Sequence, residues 1–109
     1  MESKSKDNFF TEVFKIVKSI PPGKVTTYGI IAKTCGMPSS ARMVGWALNK
    51  TKGTDIPAHR VVNRKGELTG KLHFSTPSMM RDLLASEGVE FEGEKVNMNK
   101  HLWDPKEDL

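Results

Sequence analysis

The sequence holds one cysteine, Cys35, in 109 residues. A lone thiol excludes an internal disulfide and sets a reducing compartment as the expectation: bacterial cytosol or nucleoid, or the nucleus in a eukaryote. That cysteine and the three histidines show no ligand spacing, so neither a metal site nor any other cofactor is expected. No apolar run approaches the ~20 residues that a membrane-spanning helix needs. The charged stretch from Met1 to Asp7 has no apolar core and predicts no secretory leader. No heptad or broad apolar stripe is visible either, which makes a monomer the expected state.

What is present is basic charge, unevenly placed. Hydrophobic residues make up 37% of the chain and the mean hydropathy is −0.46, which suits one domain with a modest core. We read that domain as spanning 1–109, with its core over about 7–98 and a tail from 99 to 109. The formal net charge is +4; residues 1–70 carry 12 Lys/Arg against 5 Asp/Glu, a balance of +7, and residues 71–109 carry 5 against 8, a balance of −3. A basic first part and an acidic end suggest a face that meets a polyanion.

Residues 7–19 predict a helix, because Phe9, Val13, Ile16 and Val17 recur at helical spacing and Glu12, Lys15 and Lys18 mark a wet face. Asp7 or Asn8 is placed to cap it, and Pro21-Pro22-Gly23 ends it. A second, shorter helix follows within Lys24–Lys33, with Thr26 or Thr27 as N-cap and Gly36 as the residue just past its end. Ser39 or Ser40 opens a third over Ala41–Asn49, and the pair reads as a helix-turn-helix. Gly45 costs that helix roughly 1 kcal/mol relative to alanine, so its place calls for a reason such as close backbone approach; the residues by themselves point to tight packing against a neighbouring helix. Asn63–Gly66 predicts a reverse turn joining Val61-Val62 to Glu67–Thr69 as a hairpin or wing, with Arg64 and Lys65 at its tip as candidate phosphate contacts. Thr76-Pro77-Ser78 opens a fourth helix whose apolar face is Met79, Met80, Leu83 and Leu84, the methionines as core filler, and Gly88 ends it. Phe91, Val96 and Met98 suit a final strand, Leu102-Trp103 suit docking on the core, and the end from Asp104 is expected to fray.

Between two loop-like stretches lies Ile56-Pro57-Ala58-His59-Arg60-Val61-Val62. Pro57 pushes Ile56 toward extended backbone and sets Ala58-His59 at the end of a short extended segment facing a pocket. This stretch resembles the Pro-Cys-His-Arg-Val active-site motif of O6-alkylguanine-DNA alkyltransferases, in which the cysteine takes the alkyl group from a damaged guanine. Here Ala58 stands at the cysteine position, and a methyl side chain has no lone pair to activate. The resemblance is therefore to the alkyltransferase-like relatives, which bind alkylated DNA without repairing it. Tryptophan most often stands at that position in those relatives.

Two further stretches are similar to the same family. Thr27-Tyr28-Gly29, followed by Pro38 to Gly45, is similar to its DNA-binding motif, whose Ala-Arg-Ala-Val-Gly helix enters the minor groove. Leu83-Leu84-Ala85-Ser86-Glu87-Gly88 is similar to its Leu-Leu-x-x-Glu-Gly segment. The resemblance implies a mainly α fold with a small β-wing, a winged helix-turn-helix. It implies DNA contact through Thr27, Tyr28, Ser40, Ala41, Arg42 and Gly45, besides the turn-tip residues Arg64 and Lys65. Arg42 becomes the finger that replaces a base rotated out of the stack, and Tyr28 presses on the phosphate at that nucleotide. The lesion pocket implied is Tyr28, Pro57, Ala58, His59, Val61, Lys71 and Leu72, with His59 and Glu87 as the remnant of the relay that serves the cysteine. The implied function is to flip O6-alkylguanine from duplex DNA and mark it for nucleotide excision repair proteins. Two alternatives stand beside it: an active methyltransferase using Cys35, and a winged-helix DNA binder with no lesion preference. The residues Met43 to Ala47 offer few polar groups for major-groove readout, which weighs against the second.

Overall fold

The computed structural model describes residues 6–106. Helix α1, Lys6–Ser19, runs one residue further back than the periodicity suggests, so Asp7 and Asn8 lie in its first turn rather than at its cap. Its stripe of Phe9, Phe10, Val13, Val17 and, past the helix, Ile20 is buried against Ile31, Ala32, Cys35, Val44, Ala47, Val61 and Trp103. Burying each large aliphatic side chain of such a stripe stabilises the fold by about 1.5–3 kcal/mol. The stripe is the platform on which the next two helices rest.

Strand β1, Thr26–Thr27, leads directly into helix α2, Tyr28–Thr34. The Thr27 hydroxyl accepts the Ile30 N–H at 3.1 Å, the N-cap bond that fixes where α2 begins. Its other end closes with Gly36 at φ +81°, where the Met37 N–H reaches the Ala32 carbonyl and the Gly36 N–H that of Lys33. Helix α3, Ala41–Leu48, follows after this tight turn and packs on both α1 and α2. Ser40 stands at its N-cap, but the serine side chain makes no capping bond; only its carbonyl serves, accepting from Met43 and Val44.

The hairpin expected between Val61-Val62 and Glu67–Thr69 is not formed. The turn exists, closed by Gly66 N–H to the Asn63 carbonyl and by Asn63 Oδ1, which accepts from the N–H groups of Lys65 and Glu67. Strand β2, Val61–Val62, instead pairs in parallel with β1, Thr26 opposite Val61 and Thr27 opposite Val62. Both partners are fully or nearly fully buried, so β2 satisfies its backbone inside the core and leaves residues 67–69 outside any strand.

The antiparallel pair of the fold comes later, as β3, Phe91–Glu92, and β4, Lys95–Val96. Helix α4, Met79–Ser86, precedes it, and the short helix α5, Met98–His101, follows, so Met98 opens a helix rather than extending a strand. The second core cluster lies here: Val25, Val62, Met80, Leu84, Val89 and Val96. Of the apolar face read for α4, Met80 and Leu84 are buried, whereas Met79 is 36% exposed and only Leu83 shares its partly open side.

The core also runs past residue 98. Val25 bridges Leu102, Trp103 is buried among the α1 residues, and the Trp103 N–H donates to the Val25 carbonyl at 2.8 Å. His101 holds this segment from both ring nitrogens. Nδ1 lies 2.9 Å from the Gly23 carbonyl and Nε2 lies 3.0 Å from the Glu90 N–H, which requires a neutral ring with its proton on Nδ1. The stretch expected as a tail is thus bound to the fold as far as Trp103; the final residues 107–109 of the expected frayed end lie outside the described residues.

Candidate nucleic-acid interface

Pro57 turns the chain with φ −80° and ψ 67°, and the Ala58 N–H donates to the Ile56 carbonyl at 2.8 Å, the geometry of an inverse γ-turn. Ala58–Arg60 then forms one turn of 3₁₀ helix that runs into β2, rather than the end of an extended segment. The turn lowers Ala58 to the wall of a cleft of about 790 Å³.

Tyr28, Gly45, Pro57, Ala58 and His59 line this cleft together with Gly70, His73, Phe74, Met79 and Leu83, and Lys18 and Lys52 also belong to its lining. Of the pocket residues expected from the sequence, Tyr28, Pro57, Ala58 and His59 are therefore at the cleft. Val61 is not: it is 1% exposed and belongs to the α1 core, because its strand is paired with β1. Lys71 is not in the lining either. It sits in the 3₁₀ turn Lys71–His73, where about three residues make a turn, so that Gly70 and His73 share the cleft face and Lys71 is turned to solvent. Leu72 is in the same turn, and its side chain lies outside the described residues. Met79 and Leu83, read as core, serve instead as cleft wall.

His59 and Arg60, both in the cleft lining, are held by a carboxylate fork. His59 Nε2 donates to Glu87 Oε2 at 2.8 Å, while Arg60 donates through Nε to Oε1 at 3.0 Å and through its terminal nitrogen to Oε2 at 2.7 Å. The other Arg60 nitrogen donates to the Ile20 carbonyl at 2.9 Å. Glu87 reaches this position because α4 ends on it: Gly88, at φ +92°, lets the Val89 N–H close on the Leu84 carbonyl and the Gly88 N–H on that of Ala85. Burial pushes the Glu87 carboxyl up, but the hydrogen bonds and charges of Arg60 and His59 outweigh it and hold the pKa below its ordinary value. Sequence reasoning reached the His59–Glu87 pair and missed the Arg60 clamp, which ties three elements together through one guanidinium.

The outward face of α3 borders the same cleft. Arg42 is exposed and has no hydrogen-bond or ion-pair partner among the described residues. A Cβ built on Gly45 would meet nothing within 4 Å, so no neighbour inside the protein demands a glycine there. Tyr28 accepts a hydrogen bond from Thr69 at 3.2 Å, and a Cβ on Gly70 would come within 3.4 Å of the Tyr28 hydroxyl. Thr27 is occupied with capping, Ser40 and Ala41 are half-buried at the start of α3, and Arg64 and Lys65 are exposed on the turn after β2. Cys35 is 5% exposed in the core and does not line the cleft.

A helix-turn-helix beside a cleft of this form is found in known proteins. Residues 8–89 match the family model described as 6-O-methylguanine DNA methyltransferase, DNA binding domain. The chain belongs to this family. Within it, the chain is 41% identical over 105 residues to Alkyltransferase-like protein 1 of Schizosaccharomyces pombe, covering 91% of this chain and 97% of that one. It is 39% identical over 101 residues to the DNA base-flipping protein of Vibrio parahaemolyticus, covering 91% and 99%. The crystal structure of S. pombe Atl1 in complex with damaged DNA containing O6-carboxymethylguanine superposes with a TM-score of 0.80 at 39% identity, over 96% of this chain and all of that one. The family likeness thus extends through the small antiparallel pair, and the winged helix-turn-helix is the fold of this alkyltransferase-like chain.

Proposed function

We propose that the protein binds duplex DNA at O6-alkylguanine, rotates the damaged base into the cleft beside Ala58, and holds it there without removing the alkyl group. The observation that carries this reading is the junction of Gly45 and Ala58: the open space over Gly45 on α3 borders a cleft whose wall offers a methyl group where a nucleophile would act. A glycine with free space around it is what a helix needs when another molecule, rather than its own core, makes the close approach. The minor groove, about 6 Å wide, favours such a surface. Extrusion of a base costs a few kcal/mol, which contacts in the cleft and in the vacated stack must return. Arg42 supplies the second by filling the gap with a planar guanidinium, and Tyr28 crowds the phosphate of the turned nucleotide. Thr27, Ser40 and Ala41 flank the backbone, and Arg64 and Lys65 add phosphate contacts.

The names of the S. pombe and Vibrio relatives, and the damaged DNA bound to S. pombe Atl1, support this reading. The His59–Arg60–Glu87 fork serves here to keep the cleft in shape. The held lesion would mark the site for nucleotide excision repair proteins, the protein acting as a monomer in the cytosol or nucleoid, or in the nucleus of a eukaryote.

Base extrusion is tested with a duplex carrying the fluorescent base 2-aminopurine next to O6-methylguanine. Its emission rises on binding if the lesion leaves the stack. The Arg42→Ala variant is expected to bind the lesion about 1–3 kcal/mol more weakly and to lose most of that rise. Saturated binding with no change in emission would show a lesion still stacked and would refute extrusion.

A further inference from the structure

A second, shallower groove of about 450 Å³ adjoins the cleft, sharing Tyr28, Asn49 and His73 with it and bounded also by Arg42 and Trp46. Trp46 is its largest wall. It is 49% exposed, the most exposed large apolar side chain among the described residues, and has no hydrogen-bond or ring partner there. About half of this indole is therefore open to contact by another molecule. The chain's other tryptophan, Trp103, is 7% exposed, so solvent reaches the two indoles very unequally.

The place of Trp46 says what covers it. It lies four residues after Arg42, hence on the same face of α3 and roughly 6 Å further along the axis. With α3 lying along a groove, that step corresponds to about two base steps of a duplex, at ~3.4 Å each. The groove wall contains Arg42 and two other rings, Tyr28 and His73, and no carboxylate. A flat indole flanked by a cation and carrying a single N–H donor is suited to the face or the acceptor-rich minor-groove edge of a nucleotide. An acidic or purely apolar partner protein would leave either the donor or the ring face unused.

We propose that Trp46 is a further DNA-contacting side chain, covering an undamaged nucleotide that flanks the one displaced by Arg42. This rests on the reading of α3 as the DNA-facing helix. It adds a contact that belongs to the duplex beside the lesion and not to the lesion cleft, so Trp46 strengthens binding to damaged and undamaged DNA alike.

The test uses the full chain, a fluorescein-labelled duplex with one O6-methylguanine, and the matching guanine duplex. Acrylamide quenching of protein emission reports Trp46, because Trp103 is shielded. Labelled-duplex anisotropy independently reports saturation. We expect the quenchable fraction to fall in the saturated complex. We also expect Trp46→Ala to weaken both duplexes by about 5- to 100-fold, with unchanged melting temperature and partial recovery in Trp46→Phe. A saturated complex in which Trp46 stays open to acrylamide overturns the proposal while leaving DNA binding intact, as does Trp46→Ala with wild-type affinity. Absence of any anisotropy change overturns both this contact and the reading beneath it.

Discussion

Glu87 shows how one side chain can be kept for a reason other than the chemistry its position suggests. Its carboxylate takes three hydrogen bonds, one from His59 and two from Arg60, and Arg60 carries the load on to the Ile20 carbonyl. Removing the charge would leave a guanidinium, itself only 14% exposed, without its partner. Glu87→Gln is therefore expected to lower stability by about 1–3 kcal/mol at neutral pH. The sign with pH follows from the depressed pKa. The stabilisation is complete above the ordinary glutamate range and is lost as pH falls through the lower, folded-state value. Urea unfolding across pH 7 to 3 checks this: the gap between wild type and Glu87→Gln should narrow only below about pH 4.3. A gap that stays constant through that range would show that the fork adds no charge-dependent stability. The pairing with Arg60 was not legible in the sequence, because nothing local links residues 60 and 87; the fold alone brings them together.

At the scale of elements, what could be read was what local chemistry encodes. Helices α1 to α4 follow from apolar spacing and from Thr27, Gly36 and Gly88, each of which acts within a few residues of itself. The parallel pair β1–β2 could not be read, since two strands of two residues, about 35 apart, have no period and no turn to announce them. That single pairing displaced Val61 from the pocket to the core and moved the antiparallel pair from residues 61–69 to 91–96. Helix α3 carries the prediction that separates folding from binding. Because space around Gly45 is open, Gly45→Leu should stabilise the helix by up to about 1 kcal/mol. The same side chain would stand between α3 and DNA and should weaken binding to a lesion duplex at least about tenfold, the worth of ~1.4 kcal/mol. Thermal melting and a titration on the same preparation check both. Unchanged affinity would remove α3 from the interface, and a sharp loss of stability would show that glycine answers to internal packing.

Across the whole molecule, two sources of affinity are separable. The basic first 70 residues, at +7, supply attraction to phosphates that weakens as salt rises, because bound cations are released from the DNA. In the function proposed above, preference for a damaged base comes from the cleft beside Ala58 and depends on fit rather than on charge. Salt should therefore reduce affinity for damaged and undamaged duplexes together while leaving their ratio nearly unchanged. That ratio is the quantity to measure first. One duplex with O6-methylguanine and one with guanine at the same position are titrated with the protein at two salt concentrations, and the recovered protein is then weighed by mass spectrometry. Tighter binding to the damaged duplex at both salt levels and a protein mass without an added methyl group are the expected results. Equal affinity for the two duplexes, or a protein heavier by one methyl, would contradict the proposed function.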